Sequence, residues 1–326
     1  MQIDICNGDA DGLCSVVQWR LHAPQDARLI TGMKRDIELL ETVSAGEHDQ
    51  LLVCDLSMRR NQRALRRLLD AGVRVQYFDH HEVDAVPMHP GLEAHIDAAS
   101  DICTSLLVDR HLGGKFRAWA LVGAYGDNLG VVADRLGTES GWSAGDRQRL
   151  RRLGESINYN AYGDSEQDAM IKPSQLFERL RRFRDPMAFV DGDGIGEELD
   201  ALRQDDLQRA RALTPYRQDR RARAYLLPDA AWSRRVRGSF ANILASEHPQ
   251  RAHALLNATA SGDFVVSVRA PMDAPTGAAR LCRQFGGDGR TGAAGIDRLP
   301  AKQLERFVDA FAATPWSGTT RTPGGI

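Results

Sequence analysis

In the first half of the chain, carboxylates and imidazoles stand where apolar runs stop. Residues 2–6 read as a strand and run into Asn7-Gly8-Asp9-Ala10-Asp11-Gly12. Residues 51–54 are all apolar and are followed by Asp55. Residues 73–78 are strand-like and end in Asp79-His80-His81, and the helix-like run 119–125 ends in Gly126-Asp127. Carboxylates gathered in one place repel each other and take up protons. A divalent cation removes that penalty, and a set of oxygen and imidazole donors without thiolate suits Mn²⁺ or Mg²⁺ better than a structural zinc. The chemistry to expect is metal-assisted hydrolysis of a phosphate ester or anhydride. Taken singly, each piece has a plainer explanation. D-x-D-G also makes calcium loops and ordinary turns, Asp55 before Leu56-Ser57 reads as a helix cap, and His81 reads as a surface histidine. The conjunction of acids at three strand ends, in order, with a His-His pair is what points to a metal.

For these residues to meet, the strands must lie side by side. Strand-like runs at 2–6, 27–31, 51–54 and 73–78 alternate with helix-like runs at 11–21, 37–44 and 61–71. In the last of these, Leu65, Leu68 and Leu69 share one face and arginines the other. This rhythm predicts an α/β fold with a parallel sheet covered on both sides. In such a sheet, ligands bind outside the carboxyl ends of the strands, near the switch in strand order. Helices are expected at 103–111, 116–125 and 144–156. From 173 to 223 the chain reads as helical and charged, a linker with a solvated face. Beyond it, strands at 222–227, 253–258 and 263–269, helices at 239–246, 276–284 and 301–312, and the glycine-rich stretch Phe285-Gly286-Gly287-Asp288-Gly289-Arg290-Thr291-Gly292 predict a smaller α+β domain. The polar end, 317–326, is expected to fray.

Composition narrows the partners. The chain has 326 residues, enough for two domains, and a formal net charge of −2. It therefore has no global positive field for a long polyanion, which favours small phosphorylated ligands. No apolar run reaches the roughly 18 residues of a membrane span, and the N-terminus has no signal-peptide pattern. The five cysteines form no C-x-x-C and read as reduced, buried thiols of a cytoplasmic protein.

With these motifs in view, the sequence resembles the DHH phosphoesterase superfamily, which includes RecJ-type exonucleases, nano-RNA and pAp phosphatases, cyclic-dinucleotide phosphodiesterases and family II pyrophosphatases. NGDADG is similar to its first motif, VCDLS to its second, DHH to its third and GDN to its fourth. The glycine-rich stretch and Arg269 resemble the DHH-associated C-terminal domain. The resemblance implies a DHH catalytic domain at 1–172, a helical linker at 173–223, a substrate-binding domain at 224–316 and a flexible tail at 317–326. It implies that Asp11, His80 and Asp127 hold one ion, that Asp55 is shared between two, and that Asp9 holds the second. Asp79 would orient its neighbours, and His81 would face the substrate phosphate as a donor or acid while metal-activated water attacks phosphorus in line. The cofactor would be Mn²⁺, with Mg²⁺ as the alternative, as one or two ions. Many members carry a histidine four residues before Asp9, where this chain has Ile5, so the second ion should bind weakly or only with substrate.

On the substrate side, Arg269, Arg290, Thr291 and the N–H groups around Gly287 and Gly289 are expected to hold phosphate as an anion nest, with a tight turn as the alternative. Arg290 stands where the family has histidine, and Asp288 interrupts the glycines. Lys34 and Arg35, after the second strand, are further candidates for phosphate contact. The implied substrate is a small phosphorylated nucleotide or short single-stranded nucleic acid: a short oligonucleotide, a pAp-like bisphosphate or a cyclic dinucleotide. A pyrophosphatase and a non-catalytic nucleotide-binding relative are the alternatives. Some members of the family are homodimers, but no interface signature stands out here.

Overall fold

The computed structural model describes residues 1–316, so the end expected to fray lies outside the described residues. Two compact units follow one another along the chain, Met1–Arg203 and a second that starts at Gln204.

The first unit begins with β1 (Gln2–Asn7), α1 (Ala10–His22), β2 (Arg28–Gly32), β3 (Gln50–Cys54), α2 (Met58–Asp70), β4 (Arg74–Asp79) and β5 (Leu92–Ile96). All five strands run parallel, in the order β2-β1-β3-β4-β5. The chain moves outward from β1 to β2 and then returns to the other side of β1 to form β3. The switch point therefore lies between β1 and β3, where the strands' carboxyl ends open a crevice. Helices α3 (Thr104–His111), α4 (Arg117–Gly126), α5 (Gly130–Glu139), α6 (Ala144–Asn160), α7 (Pro173–Leu180) and α8 (Pro186–Gly192) complete the layer on one face.

Two apolar clusters sandwich the sheet. One joins Leu13, Val16 and Val17 of α1 to Trp119, Leu121 and Val122 of α4. The other joins Leu65, Leu68 and Leu69 of α2 to Ile3, Ile5, Leu51 and Val53. Helix α1 is buried almost all round because it lies between the sheet and other helices. Arg20 of α1 grips Asp4 of β1 with two nitrogens of its guanidinium, at 2.6 and 2.7 Å, so the one buried acid of that strand's interior is matched.

The alternating pattern did not mark every element. The helix expected at 37–44 is a single 3₁₀ turn, Leu39–Thr42. Strand β5, helix α5 and a strand at Ala293–Leu299 fall outside the expected pattern. β5 reads Leu-Glu-Ala-His-Ile and pairs on one side only, so it lacks the apolar run of an interior strand. The supposed linker also differs from expectation. Leu176, Phe177, Leu180 and Phe189 of α7 and α8 are buried in the core of the first unit, and the boundary falls within α9 (Ile195–Arg211).

The second unit contains β6 (Arg217–Gln218), β7 (Ala222–Leu227), α10 (Ala231–Glu247), β8 (Ala252–Ala258), β9 (Phe264–Arg269), α11 (Ala278–Arg283), β10 (Asp288–Gly289), β11 (Ala293–Leu299) and α12 (Leu304–Ala313). Its mixed sheet runs β10-β11-β9-β8-β7-β6.

Two glycines set how closely α4 approaches its neighbours. A Cβ on Gly126 would lie 2.4 Å from the Cβ of Ala10 in α1, and one on Gly154 of α6 would lie 2.2 Å from the Val122 carbonyl oxygen. These contacts seat the end of α4, and with it Asp127, against the start of α1. Gly126→Ala should therefore overpack this crossing and cost about 1–3 kcal/mol. A lowered urea midpoint would show this, and an unchanged midpoint would contradict the packing account.

Candidate metal centre

The loop after β1 is built by its own polar side chains. Asn7 accepts the Asp9 N–H on Oδ1 (3.2 Å) and donates from Nδ2 to the Lys34 carbonyl (3.2 Å). Asp9 caps α1 by accepting the Gly12 N–H (3.1 Å). Asp11, in the first turn of α1, accepts the Thr104 and Ser105 N–H groups at 2.8 and 2.7 Å. Those are the free donors of the first turn of α3, at the end of the helix that favours negative charge. No sequence signal pairs residues so far apart.

Asp55 sits directly beyond β3 in the left-handed region, with φ +58°. For a residue with a side chain this costs roughly 1–2 kcal/mol, and such strain collects at functional sites. Its N–H donates to the Phe78 carbonyl (3.0 Å), which ties the ends of β3 and β4 together. Its carboxylate lies 3.4 Å from His80 Nε2 and accepts from Thr104 Oγ1 at 3.4 Å. Asp79 is fully buried, accepts the Met58 N–H at the start of α2 (3.2 Å) and meets His81 Nδ1 at 2.6 Å. This contact leaves Nε2 as the imidazole nitrogen of the half-exposed His81 not engaged with Asp79. Asp127 follows the last residue of α4, the helix end that disfavours a carboxylate, 3.8 Å from His80 Nε2.

The acids are short of positive charge. Burial pushes Asp55 well above the usual carboxylate range, and Asp9 and Asp11 push it further. Burial and then Asp11 raise Asp127 to about 7. Burial alone would lower His80, but its hydrogen bond to Asp55 and the charge of Asp11 carry it to about 10. Asp9 goes the other way: burial would raise it, and the Lys34 ammonium holds it low. Protons thus stand where a cation would serve. Ligand atoms of Asp11, His80 and Asp127 lie within 4.8 Å of one another, as do those of Asp55, His80 and His81. The donors are oxygens with imidazole nitrogen, which fits Mn²⁺ or Mg²⁺. The five cysteines are free and buried, and none joins these groups. Glu93, His95 and His111 form a separate group at the β5 edge, where His95 Nε2 already meets Glu93 at 2.8 Å.

The remaining candidates fall in different places. Lys34 follows the edge strand β2, and its Nζ is 2.5 Å from Asp9. Arg35 is exposed and paired with Asp164 (2.7 Å). In the second unit, Arg269 ends β9 and bonds Asn242 Oδ1 (2.9 Å), Ser267 Oγ (3.1 Å) and the Val268 carbonyl (3.2 Å). All three partners are neutral, and burial pulls the guanidinium below its ordinary value.

The glycine-rich stretch is a hairpin against β11 rather than an open nest. The Gly286 and Gly287 N–H groups donate to the carbonyls of Arg283 and Cys282, and the Arg290 N–H donates to Ala293. A Cβ on Gly287 would lie 2.1 Å from the Gly295 oxygen, and Gly289 has φ +145°. Close strand packing therefore explains these glycines. Asp288 is exposed and bonds Arg283 (2.9 Å). Thr291 accepts the Ala278 N–H on its carbonyl (3.0 Å), and Arg290 is exposed at the hairpin turn, whose Ala293 lies opposite Arg269 in the sheet register.

Among solved structures, the chain aligns with the exonuclease RecJ bound to manganese over 96% of its length and 91% of that chain, at 20% identity and a TM-score of 0.64. RecJ of Thermus thermophilus with Mn²⁺ matches at 21% identity and a TM-score of 0.60, over 96% of this chain and 51% of that one. A pGpG-specific phosphodiesterase from Vibrio, PggH, matches at 14% identity and a TM-score of 0.50, over 96% and 99%. The chain shares the fold of these RecJ structures. No family model matches the sequence, and no curated protein does. No helix among the described residues is long and apolar enough to cross a membrane.

Ion uptake must displace the protons on this cluster. Below about 7, where Asp127 is protonated, Mn²⁺ affinity should rise about tenfold per pH unit for each proton displaced. Titration calorimetry near pH 6 and near pH 8, in buffers of different ionisation heat, measures both affinity and proton release. Equal affinity at the two pH values would contradict this charge account.

Proposed function

We propose that the protein is a divalent-metal-dependent phosphodiesterase acting on short nucleotides, with the first unit as its catalytic part. The observation that carries this is the convergence of Asp11, Asp55, His80 and Asp127 at the switch point of the sheet, with two of the acids pushed toward their protonated forms. The RecJ and PggH likenesses support it, since two RecJ structures hold manganese and PggH is specific for pGpG. Net charge also favours a small substrate over a long polyanion.

Asp11, His80 and Asp127, with Asp55 beside them, would hold the ion. A divalent ion there supplies charge stabilisation to the phosphoryl oxygens and makes water nucleophilic at neutral pH. The chain's own groups do the rest. Asp79 takes the Nδ1 side of His81 and directs the ring, which leaves Nε2 for the substrate; from there the imidazolium form donates to a phosphate oxygen or leaving group, and the neutral form accepts. The ammonium of Lys34 holds one N–H beyond its bonds to Asp9 and Asn158, available to a phosphoryl oxygen. In the second unit, Arg269 is a half-buried cation whose hydrogen-bond partners named above are all neutral, a state suited to binding phosphate. Arg290 and Thr291, on the adjoining hairpin, are proposed as its neighbours at the phosphate.

Mn²⁺-dependent release of mononucleotide from pGpG or short oligonucleotides, abolished by EDTA, is the expected activity. Hydrolysis of pyrophosphate alone would overturn the nucleotide reading, and binding of nucleotide without turnover would overturn the enzymatic one. His80→Ala and Asp55→Asn should lose about 100-fold or more in kcat together with ion affinity. His81→Ala should lose about 10²–10⁴ in kcat with ion affinity retained. A His81 variant that turns over like the parent would remove its assigned role.

A further inference from the structure

The acidic cluster already contains a cation of its own. Lys34 follows β2, and its backbone is pinned on both sides: its N–H donates to the Ala161 carbonyl (2.9 Å) and its carbonyl accepts from Asn7 Nδ2 (3.2 Å). Its Nζ lies 2.5 Å from Asp9 Oδ2, 3.0 Å from Asn158 Oδ1 and 3.9 Å from Asp127 Oδ1. Asn158 is held in turn by its bond to Tyr162 Oη (2.9 Å). These contacts come from the ends of β1, β2, α4 and α6, so the ammonium has a built position rather than a swinging one.

Asp9 is correspondingly committed. Its Oδ2 takes the ammonium, its Oδ1 accepts the Gly12 N–H, and the residue is 2% exposed. Ile5, below it on β1, is fully buried and offers no donor atom. Among the described residues, no group of three candidate ligands includes Asp9, whereas Asp11, His80 and Asp127 form one. A divalent ion placed against Asp9 would face a fixed positive charge across a low-dielectric pocket.

We propose that Lys34 is the built-in second cation of this centre: it neutralises Asp9, so the site takes one divalent ion per chain, on the side of Asp11, His80 and Asp127. The proposal rests on reading the cluster as a divalent-ion centre, and its test separates the two claims. Bound Mn²⁺ is counted by equilibrium dialysis and examined by electron paramagnetic resonance. The full chain carries His111→Ala, which dismantles the separate Glu93–His95–His111 group. The expected result is one Mn²⁺ per chain, magnetically isolated. Lys34→Met frees Asp9 and should raise the count to two, with the signal of an exchange-coupled pair, while Lys34→Arg should keep it at one. Two ions with Lys34 in place would overturn this proposal and leave the metal centre standing. A count that stays at one in a folded Lys34→Met protein, checked by circular dichroism, would overturn it as well. No bound Mn²⁺ at all would overturn both claims. The count with Lys34 in place decides the matter even where the methionine variant fails to fold.

Discussion

Repulsion among buried carboxylates is the constraint on which the first unit depends. Asp9, Asp11, Asp55 and Asp79 are each no more than 5% exposed, and Asp127 stands beside them. Few side chains oppose them: Lys34 at Asp9, His80 at Asp55 and Asp127, and His81 at Asp79. A protein selected for stability alone would not collect acids this way, because an unpaired buried charge is among the most destabilising features a fold can carry. Proton uptake by Asp55 and Asp127 is the cluster's own answer to the repulsion, and a divalent cation is the stronger one.

The backbone holds the acids apart in function while bringing them together in space. Asp11 rests on the first N–H groups of α3 and Asp79 on that of α2, so two of the carboxylates are matched by helix ends. Asp55 is placed by its own left-handed backbone at the end of β3, and Asp127 by the disfavoured end of α4. The environments then diverge: Asp9 is held low by Lys34, while Asp55 and Asp127 are driven up. Groups of one chemical kind, set in different surroundings, acquire different tasks. Close helix crossings at Gly126 and Gly154 serve the same end, since α4 can deliver Asp127 only if it lies tight against α1 and α6.

The second unit solves a different problem. Its glycines allow the hairpin of β10 and β11 to approach closely, and the amide groups of Gly286 and Gly287 are engaged by carbonyls. What distinguishes this unit chemically is Arg269, a guanidinium seated among neutral partners at the end of β9. A half-buried cation of that kind is stabilised by the arrival of an anion, which is why Arg269 is proposed above to meet phosphate.

Much of the fold was legible because parallel strands buried on both faces must be apolar throughout, as at 51–54, and because each ends where a polar residue begins. The same logic brought Asp11, Asp55, His80 and Asp127 together from the chain alone. Elements that depend on partial exposure escaped: β5 carries Glu93 and His95 because it is an edge, and β11 hides within a run of small residues. Sequence by itself therefore determined the fold class and which acids meet, since strand periodicity and the ends of apolar runs are local properties. Tertiary structure alone decided the charge on each acid, the backbone donors that hold Asp11, and the insertion of Lys34 against Asp9. Those depend on distances between residues remote along the chain, and electrostatic energies in a low-dielectric pocket are set by distance and burial rather than by composition.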